Sequence, residues 1–310
     1  MIDPLVSGAI IFSSLLTLLS IGLTLTYVTT KVANFAHGAY AAIGAYLTFT
    51  VVRIFGSNAY NSLIFAFLFG CGIGITQYLL VFKPLIKRGI SNVGLMIATI
   101  AIELIILSCL NIYADYVTKE LKIASRYFLF TALDVTIGGE RGILLAALLL
   151  MILTAALLYM ILTYTKFGIA MRAAIEDPSL AGVMGINVDR VYMISWAISG
   201  GLGCLSGALL PLWTPGFPEM SARLIVSVFA ASIIGGLFNI FGAVVGGLII
   251  GLSEVLGTNL LASIFGSQII PYRPLIPLIA IVITLLVAPQ GLLGANWYRL
   301  RAVLRRRETN

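Results

Sequence analysis

The chain has 310 residues, of which 60% are hydrophobic and 10% are charged, and its formal net charge is +7. Because a soluble globular domain carries about 25% charged residues, this composition excludes an ordinary soluble protein and predicts a membrane protein with several spans. The basic residues lie at the ends of apolar runs, so they indicate membrane topology and not a nucleic-acid partner.

A membrane-spanning helix needs about 20 mostly apolar residues, and nine candidate runs follow one another along the chain. The first run is too long for the apolar part of a signal peptide and no basic residue precedes it, so we predict a retained span. The two runs around Asn239 are short, which leaves a broken helix or a re-entrant pair open there. The predicted fold is all-α, a single polytopic domain over residues 1–310 with about eight or nine transmembrane helices. The runs are 5–27, 36–54, 60–82, 93–113, 142–164, 190–212, 223–239, 241–257 and 274–291.

The Lys and Arg residues predict the orientation of these spans. With the N-terminus outside, most of the 19 basic residues face inward, as cytoplasmic loops of membrane proteins prefer. This places a basic tail, 292–310, and the C-terminus in the cytoplasm, and a long loop, 114–141, outside the plasma (inner) membrane. Within that loop "YFLFTALDVTIGGERG" has strand-like β-branched and aromatic residues and predicts a strand that ends in a Gly-Gly turn. The loop is either a linker or a docking surface.

Four polar residues fall at or within apolar runs. Asn34 and His37 begin the second run and are candidates for hydrogen bonds to unwound backbone or for an inner gate; a structural histidine is the alternative. An acidic residue in mid-bilayer costs about 2.5–3.5 kcal/mol, so Glu103 and Glu254 are expected to face a cavity or a polar partner. Glu254 is a candidate pathway residue, or lies near the outer interface, where the cost falls.

The polar segment, residues 165–190, separates the fifth and sixth runs. Its apolar residues recur at helical spacing on one face, which predicts an amphipathic helix. Asp177-Pro178 ends that helix and starts a second, because the residue before proline avoids the helical region and Asp is a favoured N-cap. Gly185 is predicted to end the second helix and Asn187 to cap the next span, so the protrusion is stiff and fits either a groove on another protein or the bilayer surface. The apolar face consists of Phe167, Met171, Ala174 and Ile175, with Arg172 and Glu176 four residues apart and facing away.

The stretch "FGIAMRAAIEDPSLAGVMGINVDRV" within this segment resembles the cytoplasmic coupling segment of the high-affinity branched-chain amino-acid permeases of ABC importers. Three other stretches resemble motifs of the same family in the same order, so the resemblance covers nearly the whole chain. They are "NFAHGAYAAIGAY" (Asn34–Tyr46), "SIIGGLFNIFGAVVGGLIIGLSEVL" (Ser232–Leu256) and "PQGLLG" (Pro289–Gly294).

The resemblance implies a non-catalytic permease that moves branched-chain amino acids by alternating access. Its implied partners are a sister permease, two ATP-binding cassette subunits that hydrolyse ATP, and an extracytoplasmic solute-binding protein, besides membrane lipid and the small-molecule substrate. Two departures, Ala39 in place of an acidic residue and Phe238–Phe241 in place of Gly-Ser-Ile-Pro, leave urea or short amides open as substrates. The implied ATPase-coupling residues are Gly168, Arg172, Ala173, Glu176, Asp177, Ala181 and Gly185.

Gly-x-x-x-Gly spacing recurs in the apolar runs and lets helices approach closely. It occurs in four pairs, and ordinary packing within the chain is one interpretation. The other is that the 242–251 face contacts the sister permease or a moving interface. The pairs are Gly70/Gly74, Gly203/Gly207, Gly242/Gly246 and Gly247/Gly251.

Other functions receive less support from the residues. No Gly-x-x-x-x-Gly-Lys-Ser/Thr motif is present, so we expect no ATP bound through a P-loop in this chain. An ion-coupled secondary transporter, with Glu103 or Glu254 as proton site, stays open. An intramembrane enzyme would need clustered catalytic groups, which the sequence lacks. Isolated cysteines and the single His37 predict no metal site, disulfide or cofactor.

Overall fold

The computed structural model describes residues 3–294, whose regular structure is almost entirely helical. The helices are α1 (Pro4–Thr30), α2 (His37–Phe49), α3 (Ser62–Gln77), α4 (Lys83–Lys87), α5 (Asn92–Glu120), α6 (Gly142–Tyr164), α7 (Lys166–Glu176), α8 (Pro178–Val183), α9 (Val188–Leu209), α10 (Met220–Gly235), α11 (Ile240–Phe265) and α12 (Leu275–Val287). Short 3₁₀ turns lie at Ala59–Asn61, Thr131–Leu133, Leu210–Leu212 and Ser267–Tyr272, and π turns at Thr50–Ile54 and Tyr78–Phe82. Strands β1 (Thr136–Ile137) and β2 (Glu140–Arg141) form an antiparallel hairpin.

The all-α, polytopic prediction is confirmed. Within residues 3–294, six helical stretches are long and apolar enough to cross a membrane, and α10 and α12 are apolar but shorter. Of the two doubtful runs around Asn239, α11 is therefore a full-length helix that continues to Phe265, and only α10 is short. Most of the predicted basic tail, residues 295–310, lies outside the described residues.

Helix α1 lies at the centre of the bundle and is buried along nearly its whole length. It is apolar on every side and carries no charge, which is the pattern of a fully enclosed helix. Most of its hydroxyl groups donate to carbonyls of the same helix: Thr17 donates to the carbonyl of Ser13 at 2.7 Å and Ser14 to that of Ile10 at 2.8 Å. Helices α6, α9, α10 and α11 pack around it.

Glycines let these helices touch along their backbones. An ideal Cβ on Gly74 of α3 would lie 2.1 Å from the Trp196 carbonyl oxygen of α9, and one on Gly207 of α9 would lie 2.0 Å from that of Ala41 in α2. Each glycine of the predicted pairs thus has a close neighbour within the chain. The remaining contacts are Gly70 with Gly200, Gly203 with Tyr40, Gly242 with Gly235, Gly246 with Ala231, Gly247 with Thr17 and Gly251 with Ser13.

We expect Gly74→Ala to lower the free energy of unfolding by about 1–3 kcal/mol, because the added methyl group forces α3 and α9 apart. Gly72→Ala is the matched control, since Gly72 lies in the same helix with nothing within 4 Å of its Cβ position. Alanine there is expected to be neutral or to stabilise by up to about 1 kcal/mol. Thermal unfolding in detergent measures both, and equal effects would contradict the packing of these two helices.

Between α1 and α2 the chain turns back into the bundle. Lys31 ends α1 in the left-handed conformation, with φ 57°, and α2 begins at His37. An ideal Cβ on Gly22 would lie 2.8 Å from Cε1 of His37. The first residue of α2 therefore packs beside Gly22, about two turns before the end of α1 at Thr30. Helix α2 thus begins inside the bundle, and the π turn at Thr50–Ile54 continues it toward the loop 121–141.

Two ends of the bundle can be distinguished. The polar segment lies at one, which we call the segment end; the loop 121–141 lies at the other, the loop end. The predicted Gly-Gly turn in that loop is confirmed, and it joins β1 and β2 in a hairpin, with Gly138 and Gly139 both at positive φ, as a two-residue type I′ turn requires. The loop packs onto the bundle: the Phe128 N–H donates to the Gly216 carbonyl at 3.1 Å, and the bond is returned at 2.8 Å.

Candidate functional site

The polar segment folds as two helices joined at a sharp corner. The Asp177 carboxylate caps α8 by accepting bonds from the N–H groups of Ser179 at 2.8 Å and Leu180 at 3.0 Å. Gly185 follows α8 with φ +82°, and the Asn187 side chain caps α9 through the N–H of Arg190 at 3.0 Å. The predicted corner and caps are confirmed, because each depends on residues close together in sequence.

Most of the apolar face of α7 is covered by the chain itself. Met171 is 1% exposed and Ala174 is fully buried, and both join the main hydrophobic core. Helix α7 contacts α6, α9 and α1, so this face covers the end of the bundle. The expectation that it enters a partner's groove or rests on the bilayer is therefore wrong; the face is used within the chain.

The corner between α6 and α7 is held by two of the predicted coupling residues. An ideal Cβ on Gly168 would lie 2.0 Å from the carbonyl oxygen of Leu162, near the end of α6. The Arg172 guanidinium donates a hydrogen bond to the same carbonyl. Among the described residues no ion pair joins Arg172 to Glu176, so the weak pair that their spacing indicates is not formed. Gly168 and Arg172 thus fix α7 against α6.

Helix α8 presents an apolar surface that is not among the predicted features of the polar segment. Leu180 is 60% exposed, Val183 84% and Met184 75%, whereas Ala181 is buried on the opposite side. We call Leu180, Val183 and Met184 the α8 tip. Their i, i+3, i+4 spacing was a visible signal of one helical face. Of the other predicted coupling residues, Ala173 is half-buried, and Glu176, Asp177 and Gly185 are exposed.

A buried polar cluster lies where α2 begins. The Asn34 side chain accepts a hydrogen bond from the Ala36 N–H at 3.1 Å, and Nδ1 of His37 lies 3.3 Å from the Ser199 hydroxyl. The Tyr40 hydroxyl, on the next turn of α2, donates to the Gln77 side chain. Asn34 and His37 are both fully buried. The structure thus brings these two predicted residues to one place with residues of α3 and α9.

Several polar atoms in and near this cluster have no partner among the described residues. Buried polar groups are nearly always hydrogen-bonded, and each exception calls for a physical reason. Asn34 and His37, at the start of α2, carry two of these atoms, and the others belong to α1, α3 and α9. The atoms are Thr24 Oγ1, Asn34 Nδ2, His37 Nε2, Gln77 Nε2 and Trp196 Nε1.

Both acidic residues of the apolar runs have polar partners. Glu254 is buried and accepts hydrogen bonds from Nε of Arg273 at 2.7 Å and from the Ser227 hydroxyl at 2.7 Å. Glu103 is half-buried on α5, with the Ser221 side chain beside its carboxylate. The expectation that Glu103 pairs with a neighbouring polar group is confirmed. No group of three potential metal ligands occurs within residues 3–294.

Comparison with known proteins gives a consistent result along the chain. A family model described as a branched-chain amino acid transport system permease component matches residues 5–288. The chain is 45% identical over 300 residues to the probable branched-chain amino acid transport permease protein LivH of Methanocaldococcus jannaschii, covering 97% of this chain and 95% of that protein. It is 24% identical over 311 residues to the high-affinity permease protein BraD of Pseudomonas aeruginosa (94% and 95% covered) and 27% identical over 295 residues to LivH of Escherichia coli (93% and 94%). No solved structure matches the chain.

Proposed function

Since the chain belongs to the family of permease components of branched-chain amino acid transport systems, we propose that it is the membrane-spanning subunit of an ATP-driven importer for leucine, isoleucine and valine. It is a transport subunit without catalytic residues of its own. Two ATP-binding cassette subunits supply the energy, a sister permease completes the pathway, and an extracytoplasmic binding protein delivers the substrate. The segment end faces the cytoplasm, and the C-terminus lies on that side of the plasma membrane.

The observation that carries this proposal is the α8 tip on its rigid corner. An exposed apolar helix face at the segment end is suited to a groove on a partner protein. The corner at Gly168 and Arg172 ties that face to α6, and the buried side of α7 ties it to α1 and α9. Movement of a bound ATPase is therefore passed to the central helices, which is how one two-state element biases another.

The buried polar cluster is the proposed inner gate. Its unpartnered atoms lie between α1, α2, α3 and α9, where the chain backbone is already broken. A change in the packing of these helices would give the atoms new partners, including the substrate's own polar groups. Glu254, one of the two candidate proton sites of an ion-coupled transporter besides Glu103, is held by Arg273 and Ser227.

Uptake by the assembled transporter in proteoliposomes tests this proposal. We expect accumulation of radiolabelled L-leucine that requires ATP and the binding protein, persists when an uncoupler collapses the proton gradient, and is inhibited by isoleucine and valine. Urea and acetamide, used as competitors, test the alternative substrates. Uptake that stops with the uncoupler while ATP remains would overturn the ATP-driven mechanism. Inhibition by urea but not by valine would overturn the assignment of branched-chain amino acids as substrates.

A further inference from the structure

A pocket of about 560 Å³ opens at the loop end of the bundle, between α1, α10, α11 and the turn before α12. Its wall combines one carboxylate, Glu254, with two guanidinium groups, Arg223 and Arg273. The rest of the wall is largely apolar and includes three aromatic rings, those of Phe12, Trp213 and Phe217. A few charged groups within a mostly apolar concavity are characteristic of sites for small molecules.

The charged groups of this pocket are fixed in place. The Glu254 side chain is 6% exposed and lies 2.7 Å from Nε of Arg273. The Arg273 guanidinium lies over the ring of Phe12, 4.4 Å from its centroid, and 5.5 Å from that of Trp213. Arg223 is held in the same way over Phe217, at 4.9 Å. Stacked guanidinium groups of this kind are pre-organised to bind a carboxylate.

The ion pair does not use all of the donors of Arg273. Its Nε donates to Glu254, but Nη2 is buried and has no hydrogen-bond partner among the described residues. Guanidinium carries five N–H donors in a fork that matches a carboxylate, and an ionised carboxyl group has about four acceptor positions. The Arg273 side chain is 28% exposed and lines the pocket, so the exposed part of its guanidinium group can bind a carboxylate without breaking the bond to Glu254. Glu254 also lines the pocket and can accept from an ammonium group at an acceptor position that Arg273 and Ser227 leave unused.

We infer that this pocket is an amino-acid binding site on the permease itself, with the zwitterionic backbone of the ligand between Arg273 and Glu254 and its apolar side chain against Phe12 and Trp213. A cation, an anion and an apolar wall lie together here, and a free apolar amino acid carries the complement of all three. Urea and short amides carry neither charge. The inference rests on the proposed function only for the direction of transport, which makes the loop end the side of entry.

Binding of radiolabelled L-leucine to the assembled transporter, without the binding protein and in detergent, tests this site. We expect saturable binding that excess L-leucine, isoleucine and valine displace. Leucinol, which lacks the carboxylate, and 4-methylpentanoate, which lacks the ammonium group, should each compete at least tenfold more weakly. Displacement by either analogue as effective as that by leucine would overturn the inference, and so would the absence of leucine binding to the unaltered protein.

Variants test the individual groups. Arg273→Gln and Glu254→Gln should each weaken leucine binding at least tenfold, and the exposed Arg223→Gln, which cannot disturb the buried pair, by a smaller factor. Arg126→Gln is the control, because Arg126 pairs with exposed Asp115 at the same end but outside the pocket. Unchanged binding by correctly assembled Arg273→Gln overturns the site. If the complete transporter still imports leucine with ATP while the transporter alone binds none, the proposed function stands and this inference fails.

Discussion

Replacing Val183 and Met184 together by aspartate is expected to abolish transport by releasing the ATPase subunits. These side chains are 84% and 75% exposed at the segment end, where neighbouring helices give them little cover. Burying each against a partner contributes about 1.5–3 kcal/mol, so losing both weakens the association at least about a hundredfold. Co-purification of tagged permease with the ATPase subunits measures the association, and leucine uptake in proteoliposomes measures the consequence.

The control for this prediction is Ile90→Asp. Ile90 is also a large apolar residue, 41% exposed, and lies outside the polar segment, after the basic stretch at α4. The Ile90→Asp variant should retain the ATPase subunits. In size-exclusion chromatography, this variant and the Val183 and Met184 double variant should both elute at the position of the folded permease. If the Val183 and Met184 variant retains the ATPase subunits in the amount found with the unaltered chain, the α8 tip is not the docking surface and the coupling proposal loses its main support.

The fold of the polar segment divides into parts that the sequence predicts well and parts that it does not. Asp177 and Gly185 act on groups within a few residues, so their roles as cap and helix end follow from local chemistry. The burial of Met171 depends on α1 and α9, which are distant in sequence. Helical periodicity identifies an apolar face but not what covers it, so the same pattern fits a partner's groove, a bilayer surface or the chain itself.

The pocket at the loop end likewise depends on a contact that sequence patterns do not predict. Glu254 stands out because an acid in an apolar run needs a partner. Its partner Arg273 lies after the end of a helix, where an interfacial cation is common. The spacing of the two residues does not indicate that the turn at Ser267–Tyr272 places the Arg273 guanidinium beside the Glu254 carboxylate. The start of α2 within the bundle is hidden for a similar reason, since residues 31–36 contain no proline or glycine.

A valine at Gly168 is expected to separate ATP hydrolysis from transport while leaving the ATPase subunits bound. The added side chain would enter the space of the Leu162 carbonyl oxygen, 2.0 Å from its Cβ, so α7 must swing away from α6 at a cost of about 1–3 kcal/mol. The α8 tip stays exposed and competent to bind, but its link to the central helices is loosened. We expect leucine uptake to fall at least tenfold with most ATPase activity retained.

Arg172 provides an independent measure of the same corner, because its guanidinium donates to the same Leu162 carbonyl and a charge-assisted hydrogen bond contributes about 1.5–3 kcal/mol. Arg172→Lys keeps a donor and should preserve much of the uptake, whereas Arg172→Met should lower it as Gly168→Val does. Gly72→Val is the control for side-chain size, since nothing lies within 4 Å of that Cβ position. Normal uptake by Gly168→Val, or equal losses for the lysine and methionine variants, would show that the corner does not transmit the movement.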